Sequence, residues 1–143
     1  FYCLKFRSMK FSKDSDVKQA TQNDIRLTGI GKFIRKTSID EFPQFINVFK
    51  GQMSLVGPRP HMLKHTSDYS KIVDEYMTRQ FLKPGITGWA QINGNRGEIS
   101  TAEQIQTRVS RDLWYLENWT LLLDIQIMFS TIYLLFKGDK NAY

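Results

Sequence analysis

The sequence predicts an α+β fold, a small mixed domain in which several helices surround a short β element. Its 143 residues, 41% of them hydrophobic, are enough for one compact core. Apolar residues recur at helical spacing in several separate segments. Glycine and turn signals crowd around one short stretch that is compatible with a strand.

The first nine residues, FYCLKFRSM, alternate like a strand that places Lys5 and Arg7 on one face. Because the chain begins at Phe1 inside this pattern, we interpret it as a piece of a longer protein, with any upstream targeting or membrane segment lying outside it. The polar stretch SKDSDVKQATQND follows, and we expect a mobile loop or a short helix there.

The segment TSIDEFPQF (37–45) opens the first predicted helix. Ser38 to Glu41 fits the S-x-x-E capping box, and acidic residues in a first helical turn are stabilised by the helix macrodipole. Pro43 limits how far upstream the helix can extend. Gly51 is its predicted stop, after an apolar stripe formed by Phe42, Phe45, Ile46 and Phe49.

The adjacent carboxylates of Asp40 and Glu41 also suit catalysis. A carboxylate that the helix dipole and nearby arginines keep ionised can attack an electrophilic phosphorus. A second carboxylate beside it can hold Mg²⁺, which prefers oxygen ligands and commonly bridges to substrate phosphates. The local sequence leaves capping and catalysis both open.

The next segment, SLVGPRPHM, presents a single cation on a stiff loop, because Pro58 and Pro60 fix the backbone on both sides of Arg59. Beyond it we expect a helix at 67–80, a short strand at 89–92 within KPGITGWAQINGNRG, and a helix at 101–116. The predicted buried positions of the two helices are Tyr69, Ile72, Val73, Tyr76, Ile105, Val109 and Leu113.

The last apolar segment (119–136) is long enough to suggest a membrane span. Asp124 and Gln126 argue against one, because an ionised group at the centre of a bilayer costs about 2.5 to 3.5 kcal/mol or more. A core helix and a helix in the membrane interface remain as alternatives.

The charge balance favours an anionic partner, since 20 Lys and Arg face 14 Asp and Glu, a net charge of +6. Guanidinium groups bind phosphate oxygens in pairs, so arginines held in fixed segments suit a phosphate ligand, although scattered surface charge is the alternative. The cations in such segments are Lys5, Arg7, Arg35, Arg59 and Arg96.

Several classes of site lack support. The single cysteine, Cys3, excludes an internal disulfide and a cysteine-cluster metal site, and it is typical of a reducing compartment. His61 and His65 lack the H-E-x-x-H pattern, so we assign them to surface or capping roles. Nucleotide-fold, hydrolase and RNA-binding signatures do not occur, and we expect no nucleic-acid partner.

Four stretches taken together resemble the bacterial sugar transferase family of polyprenyl-phosphate hexose-1-phosphate transferases. They are KFRSM, RKTSIDEFPQFINVFKGQMSLVGPRP, KPGITGWAQINGNRG and DLWYLENWTLLLDIQIM. The likeness covers nearly the whole chain and is greatest to undecaprenyl-phosphate glucose- or galactose-1-phosphate transferases, which initiate exopolysaccharide, capsule or O-antigen synthesis.

The resemblance implies a reaction and roles for specific residues. Asp40 would attack the β-phosphorus of a UDP-hexose, expel UMP and form an aspartyl-phosphosugar, which undecaprenyl phosphate then accepts. Glu41 would hold Mg²⁺. The remaining residues that the resemblance implies in substrate or phosphate binding are Lys5, Arg7, Arg35, Pro58, Arg59, Pro60, Gln91 and Arg96.

The resemblance also implies a location. Residues 1–143 would be the catalytic domain without its upstream re-entrant anchor, on the cytoplasmic face of the bacterial inner membrane, with 119–136 as an interfacial amphipathic helix. A homo-oligomer stays open. The competing hypothesis is a non-catalytic basic module that binds a membrane surface or nucleic acid.

Overall fold

The computed structural model describes residues 1–11, 21, 24–61, 63–71, 73–97 and 101–137. Within these ranges the fold mixes helices with a small sheet, in agreement with the predicted α+β class. The helices are α1 (Gly29–Lys36), α2 (Gln44–Phe49), α3 (Leu63–Tyr69), α4 (Trp89–Ile92), α5 (Ala102–Glu117) and α6 (Leu121–Lys137), with 3-10 turns at Ile39–Glu41 and Asp74–Phe81. The strands are β1 (Ser54–Val56) and β2 (Gly85–Thr87).

The two strands run parallel, with Ser54 beside Gly85 and Val56 beside Thr87. Beyond β1 the Gly57 amide donates to the Thr87 carbonyl at 2.8 Å, and the Gly85 amide donates to the Pro58 carbonyl at 2.9 Å. A Cβ at Gly85 would lie 2.2 Å from the Gly57 nitrogen, so the close approach requires glycine. This pairing fixes the chain where it enters the Pro58–Arg59–Pro60 loop.

Two clusters of buried apolar side chains form the core, and α5 contributes to both. Val56, Tyr115 and Ile127 centre the cluster between the sheet, α5 and α6. Tyr76, Ile105 and Val109 centre the other, which joins α5 to the 3-10 turn Asp74–Phe81. Burial of such side chains contributes about 1.5 to 3 kcal/mol each to stability. Because α5 supplies buried side chains to both clusters, both depend on this helix.

The predicted helix in the last apolar segment is confirmed as α6, and the partners of Asp124 explain why this apolar helix contains an acidic residue. Asp124 accepts hydrogen bonds from the Tyr115 hydroxyl at 2.5 Å and from the Trp119 indole at 3.1 Å. Among the described residues, no helix has both the length and the apolar character needed to cross a membrane. Large apolar side chains remain exposed along this helix at Leu121, Leu122, Phe129, Ile132, Tyr133 and Phe136.

The strand predicted at 1–9 is wrong. In the described structure this segment forms only an isolated antiparallel bridge between Met9 and Leu27. Its backbone is held instead by other groups: the Leu4 amide donates to Asn47 Oδ1 at 3.0 Å, and the Phe6 amide donates to the Asp40 carbonyl at 2.9 Å. The polar stretch predicted as a loop or short helix lies almost entirely outside the described residues.

The helix predicted after the Asp–Glu pair is present as α2, but the face it buries is not the predicted one. Its buried side chains are Gln44 and Asn47, whereas the apolar stripe from Phe42 to Phe49 is exposed. The capping box is wrong as well, because Ser38 has a left-handed backbone (φ 58°) and makes no capping hydrogen bond.

The predicted elements between residues 67 and 116 are confirmed only in part. The helix predicted at 101–116 is confirmed as α5, with a capping box between Thr101 and Gln104. The predicted strand at 89–92 is wrong, since these residues form α4 and the strand lies just upstream as β2. The helix predicted at 67–80 is divided between α3 and the 3-10 turn, and Ile72 lies outside the described residues. Helix α1 was not predicted.

Replacement of Asn47 tests how the N-terminal segment is held. Its side chain is 1% exposed and also donates to the Tyr2 carbonyl at 2.9 Å and to Gln52 Oε1 at 2.7 Å. We expect Asn47→Ala to lower the free energy of unfolding by about 2 to 3 kcal/mol, because the backbone groups of Tyr2 and Leu4 lose their partners and a buried side chain is truncated. Denaturant titration measures this, with exposed Lys50→Ala as the control; equal effects of the two variants would contradict the role of Asn47.

Candidate active site

The Asp40–Glu41 pair lies on the 3-10 turn Ile39–Glu41, between α1 and α2. Both residues are buried, with exposed fractions of 6% and 8%. Ser38, just before them, keeps its left-handed backbone while its Oγ accepts a hydrogen bond from Arg96 Nη2 at 2.5 Å. A strained residue at this place is a common feature of functional sites.

Glu41 is the centre of an ion-pair cluster. Its Oε1 lies 2.8 Å from Lys5 Nζ and 2.6 Å from Arg59 Nη2, while Oε2 is held more loosely, 3.5 Å from Arg59 Nη1. Burial alone would raise the pKa of Glu41, but the charges of Arg59 and Lys5 outweigh it and hold the pKa well below the usual range. Glu41 is therefore a permanently ionised carboxylate at neutral pH.

Asp40 has the opposite electrostatic character. Burial, followed by the negative charge of Glu41, raises its pKa, and Lys5, Arg35 and Arg59 only partly counter this. No described residue donates a hydrogen bond to its carboxylate. Two adjacent acidic residues therefore differ: Glu41 is neutralised by its cations, whereas Asp40 is more basic and has its oxygens available.

Two polar side chains near the pair have unused hydrogen-bonding capacity. Arg35, at the end of α1, has a buried Nη1 without a partner, and its charge acts on Asp40. Gln91, on α4, is buried and its Nε2 also lacks a partner. Buried donors are normally satisfied, so both groups are suited to an acceptor that binds from outside the chain.

A cavity of about 310 Å³ lies beside Glu41 and Gln91, which both line it. Ser38, Glu41, Gln91 and Arg96 supply polar groups to its wall. Most of the remaining wall is apolar and comes from Phe42, Phe45, Leu55, Ile86, Ile92, Met128, Ile132, Leu134 and Leu135. The cavity can therefore accept a ligand that carries charge at one end and hydrocarbon at the other.

The loop that carries Arg59 is anchored by residues that the sequence analysis did not select. Arg79 Nη2 donates to the Arg59 carbonyl at 2.8 Å. The prediction that His61 has a surface or capping role is wrong, because its Nδ1 lies 2.5 Å from the Tyr76 hydroxyl and 2.9 Å from Arg79 Nη1. The available sequence signal was the pair of charges Arg108 and Asp112 on the predicted buried face of α5.

The structure brings most of the predicted site residues together, but not all of them. Lys5 and Arg59 contact Glu41, and Gln91 and Arg96 line the same cavity as Glu41. Arg7 is exposed, and no described contact joins it to either carboxylate. Its role in substrate binding stays a prediction.

Comparison with known proteins gives the same assignment along nearly the whole chain. The UDP-glucose:undecaprenyl-phosphate glucose-1-phosphate transferase of Escherichia coli (strain K12) is 54% identical over 142 residues, covering 97% of this chain and 30% of that protein. The undecaprenyl-phosphate galactose phosphotransferase of Salmonella typhimurium is 41% identical over 159 residues, covering 100% of this chain and 32% of that protein.

A relative named for an acetylated sugar is nearly as similar. The UDP-N-acetylgalactosamine-undecaprenyl-phosphate N-acetylgalactosaminephosphotransferase of Aeromonas hydrophila is 40% identical over 139 residues, covering 96% of this chain and 32% of that protein. The chain thus spans about a third of the length of these relatives. The profile of the family described as bacterial sugar transferase matches residues 1–138, and the chain belongs to that family.

Proposed function

We propose that the protein transfers a hexose-1-phosphate group from a UDP-hexose to undecaprenyl phosphate and releases UMP. The relatives' names support this donor and acceptor class. The observation that carries the proposal is the contrast within the carboxylate pair. Asp40 is the more basic carboxylate and accepts no hydrogen bond from a described side chain, while Glu41 is fixed by two cations, which is what a nucleophile and its supporting group require.

The reaction proceeds in two displacements. Asp40 attacks the β-phosphorus of the UDP-hexose, a bond forms from its carboxylate oxygen to phosphorus, and the bond to the UMP oxygen breaks with its electron pair leaving on UMP. A phosphate oxygen of undecaprenyl phosphate then attacks the same phosphorus. The aspartyl bond breaks and Asp40 is regenerated, so each phosphoryl bond formed is matched by one broken.

The cations around the pair make this attack feasible. A carboxylate approaching a diphosphate faces repulsion between negative charges, and the positive charges of Lys5, Arg35 and Arg59 counter it. The unpaired Nη1 of Arg35 is free to donate to a phosphate oxygen. Arg96 and Gln91 add donors at the same cavity, which supports their assignment to substrate binding.

The residues present fit a magnesium ion. The described residues contain no cluster of three His, Cys, Asp or Glu side chains, but Mg²⁺ at phosphate sites commonly uses only one or two carboxylates together with substrate oxygens. Glu41 is ionised, and its Oε2 is only loosely engaged by Arg59. Glu41 would hold the ion, which when bound supplies positive charge to the diphosphate.

A lipid acceptor agrees with the shape of the cavity. Arg96 in its polar wall suits a phosphate head, and its apolar wall suits the start of a hydrocarbon chain. Exposed aromatic side chains on and before α2, at Phe42, Phe45 and Phe49, would meet the bilayer interface. We place the site at the cytoplasmic face of the bacterial inner membrane. No observation favours the alternative of a non-catalytic binding module.

Replacement of the nucleophile is the decisive test. In the complete membrane-bound protein, Asp40→Asn should abolish release of UMP and formation of a labelled protein from sugar-labelled UDP-hexose, because an amide cannot form the phosphoryl bond. Wild-type protein without lipid acceptor should release about one UMP per site and stop. The control is Asp68→Asn, an exposed Asp; an Asp40→Asn variant that turns over normally would refute the mechanism.

Arg59→Lys tests the geometry of the guanidinium. A lysine keeps the charge but cannot place two nitrogens against Glu41 and a phosphate together. We expect kcat/KM to fall by the equivalent of about 1.5 to 3 kcal/mol of transition-state stabilisation. Steady-state kinetics measure this, with Arg26→Lys as the matched control. Wild-type kinetics in Arg59→Lys would assign Arg59 to a structural role.

Removal of metal tests Glu41. We expect EDTA to stop UMP release and added Mg²⁺ to restore it. Glu41→Gln, which keeps the size of the side chain, should raise the Mg²⁺ concentration needed for half-maximal rate. Activity that is the same with and without EDTA would rule out the metal role.

A further inference from the structure

We infer that Arg79, held in place by Asp112, is a positioning residue that sets the orientation of Arg59. The expected effect on kinetics rests on the proposed function, because it is measured as release of UMP. Neither Arg79 nor Asp112 contacts the carboxylate pair in the described structure. Their action is through the backbone of the Pro58–Arg59–Pro60 loop.

Arg79 contacts the loop directly and is held from several sides. It is 5% exposed, and its Nη2 donates to the Arg59 carbonyl at 2.8 Å and lies 2.8 Å from Asp112 Oδ2. Its Nη1 lies 2.9 Å from His61 Nδ1 and 3.2 Å from the Tyr76 hydroxyl. A planar guanidinium with this many fixed partners has essentially one orientation, so the Arg59 carbonyl has a fixed donor.

Arg59 is thereby held at both ends. Its guanidinium pairs with Glu41 at 2.6 Å, and its carbonyl is bound by Arg79. Pro58 and Pro60 restrict the backbone on each side, and Pro60 has no amide hydrogen to donate. A rotation of the Arg59 peptide would break the bond to Arg79, and it would also swing the side chain away from Glu41.

The charges in this cluster are poorly explained by stability alone. Asp112 is 2% exposed, and burial raises its pKa to about 6. Burial and the nearby charges of Arg59 and Arg79 lower the pKa of Arg108 to about 10. Buried ion pairs can often be replaced by apolar residues without loss of stability. The guanidinium groups of Arg59, Arg79 and Arg108 lie close together here, which favours a role in orienting Arg59 over a role in stability alone.

The test is a double-mutant cycle in the complete membrane-bound protein. The ion pair is replaced by Arg79→Met with Asp112→Leu, in the wild-type and in the Arg59→Lys background. In the wild-type background we expect kcat for UMP release to fall about tenfold, with KM for the UDP-hexose changing less than about twofold. In the Arg59→Lys background the same replacement should change kcat less than about twofold, because the oriented group is already missing.

The matched control replaces a different ion pair. Arg26 and Asp24 lie 2.6 Å apart and make no described contact with Arg59, so Arg26→Met with Asp24→Leu should leave kcat unchanged. Arg79→Lys provides a second variant that retains a charge beside Asp112, should the apolar replacement not fold. Equal losses in both Arg59 backgrounds, or no loss in either variant that folds, would overturn the inference.

A spectroscopic measurement separates this inference from the proposed function. In nanodiscs, the side-chain N–H signals of Arg59 should exchange slowly with water because Glu41 binds them, and they should exchange faster after the Arg79 replacement. If labelling of the protein by sugar-labelled UDP-hexose does not depend on Asp40, the proposed function fails. The exchange rate of the Arg59 signals would still show whether Arg79 positions Arg59. Unchanged exchange at Arg59 would overturn the inference even in an active enzyme.

Discussion

The ion pairs of Glu41 with Lys5 and Arg59 are the interaction on which the site depends. They join three segments that are far apart in the chain: the N-terminal segment, the turn before α2 and the proline-flanked loop. Each segment is in turn fixed by something else. Asn47 holds the first, and the contact of Gly57 and Pro58 with β2 holds the third. The small sheet and α2 therefore serve chiefly to bring cations to one carboxylate.

The same ion pairs give the two neighbouring acidic residues, Asp40 and Glu41, different pKa values. Because Arg59 and Lys5 bind Glu41 directly, they lower its pKa strongly and act on Asp40 only from a greater distance. Asp40 therefore stays the more basic carboxylate. Adjacent residues on one turn thus carry carboxylates of different basicity.

Local patterns predicted those parts of the fold that depend on local interactions. The apolar spacing of α5 acts within the helix, and the helix that it predicts at 101–116 is confirmed, with a capping box at Thr101. The sequence at Ser38 also fits a capping box. There, however, Arg96 donates a hydrogen bond to the Ser38 hydroxyl, and this tertiary contact replaces the predicted local one. The 1–9 strand failed for a similar reason, because Asn47 and Asp40 supply the backbone partners that a neighbouring strand would have supplied. The motifs selected Asp40 and Arg59 as candidates, but they carried no information about Arg79, whose contact with Arg59 spans 20 residues.

The balance of charge around the pair indicates why so many cations are needed. The three cations Lys5, Arg35 and Arg59 exceed the two carboxylates of Asp40 and Glu41 by one positive charge, so the charges around the pair are nearly balanced. In the proposed reaction, a diphosphate that enters this site brings more negative charge than that excess can offset. Its binding would therefore require further donors. Gln91 and Arg96 line the cavity beside Glu41, and Gln91 Nε2 lacks a partner. In this arrangement Lys5 and Arg59, the cations that hold Glu41, also limit how far burial and Glu41 raise the pKa of Asp40. In the proposed reaction, the same cations would favour the ionised carboxylate that the attack requires.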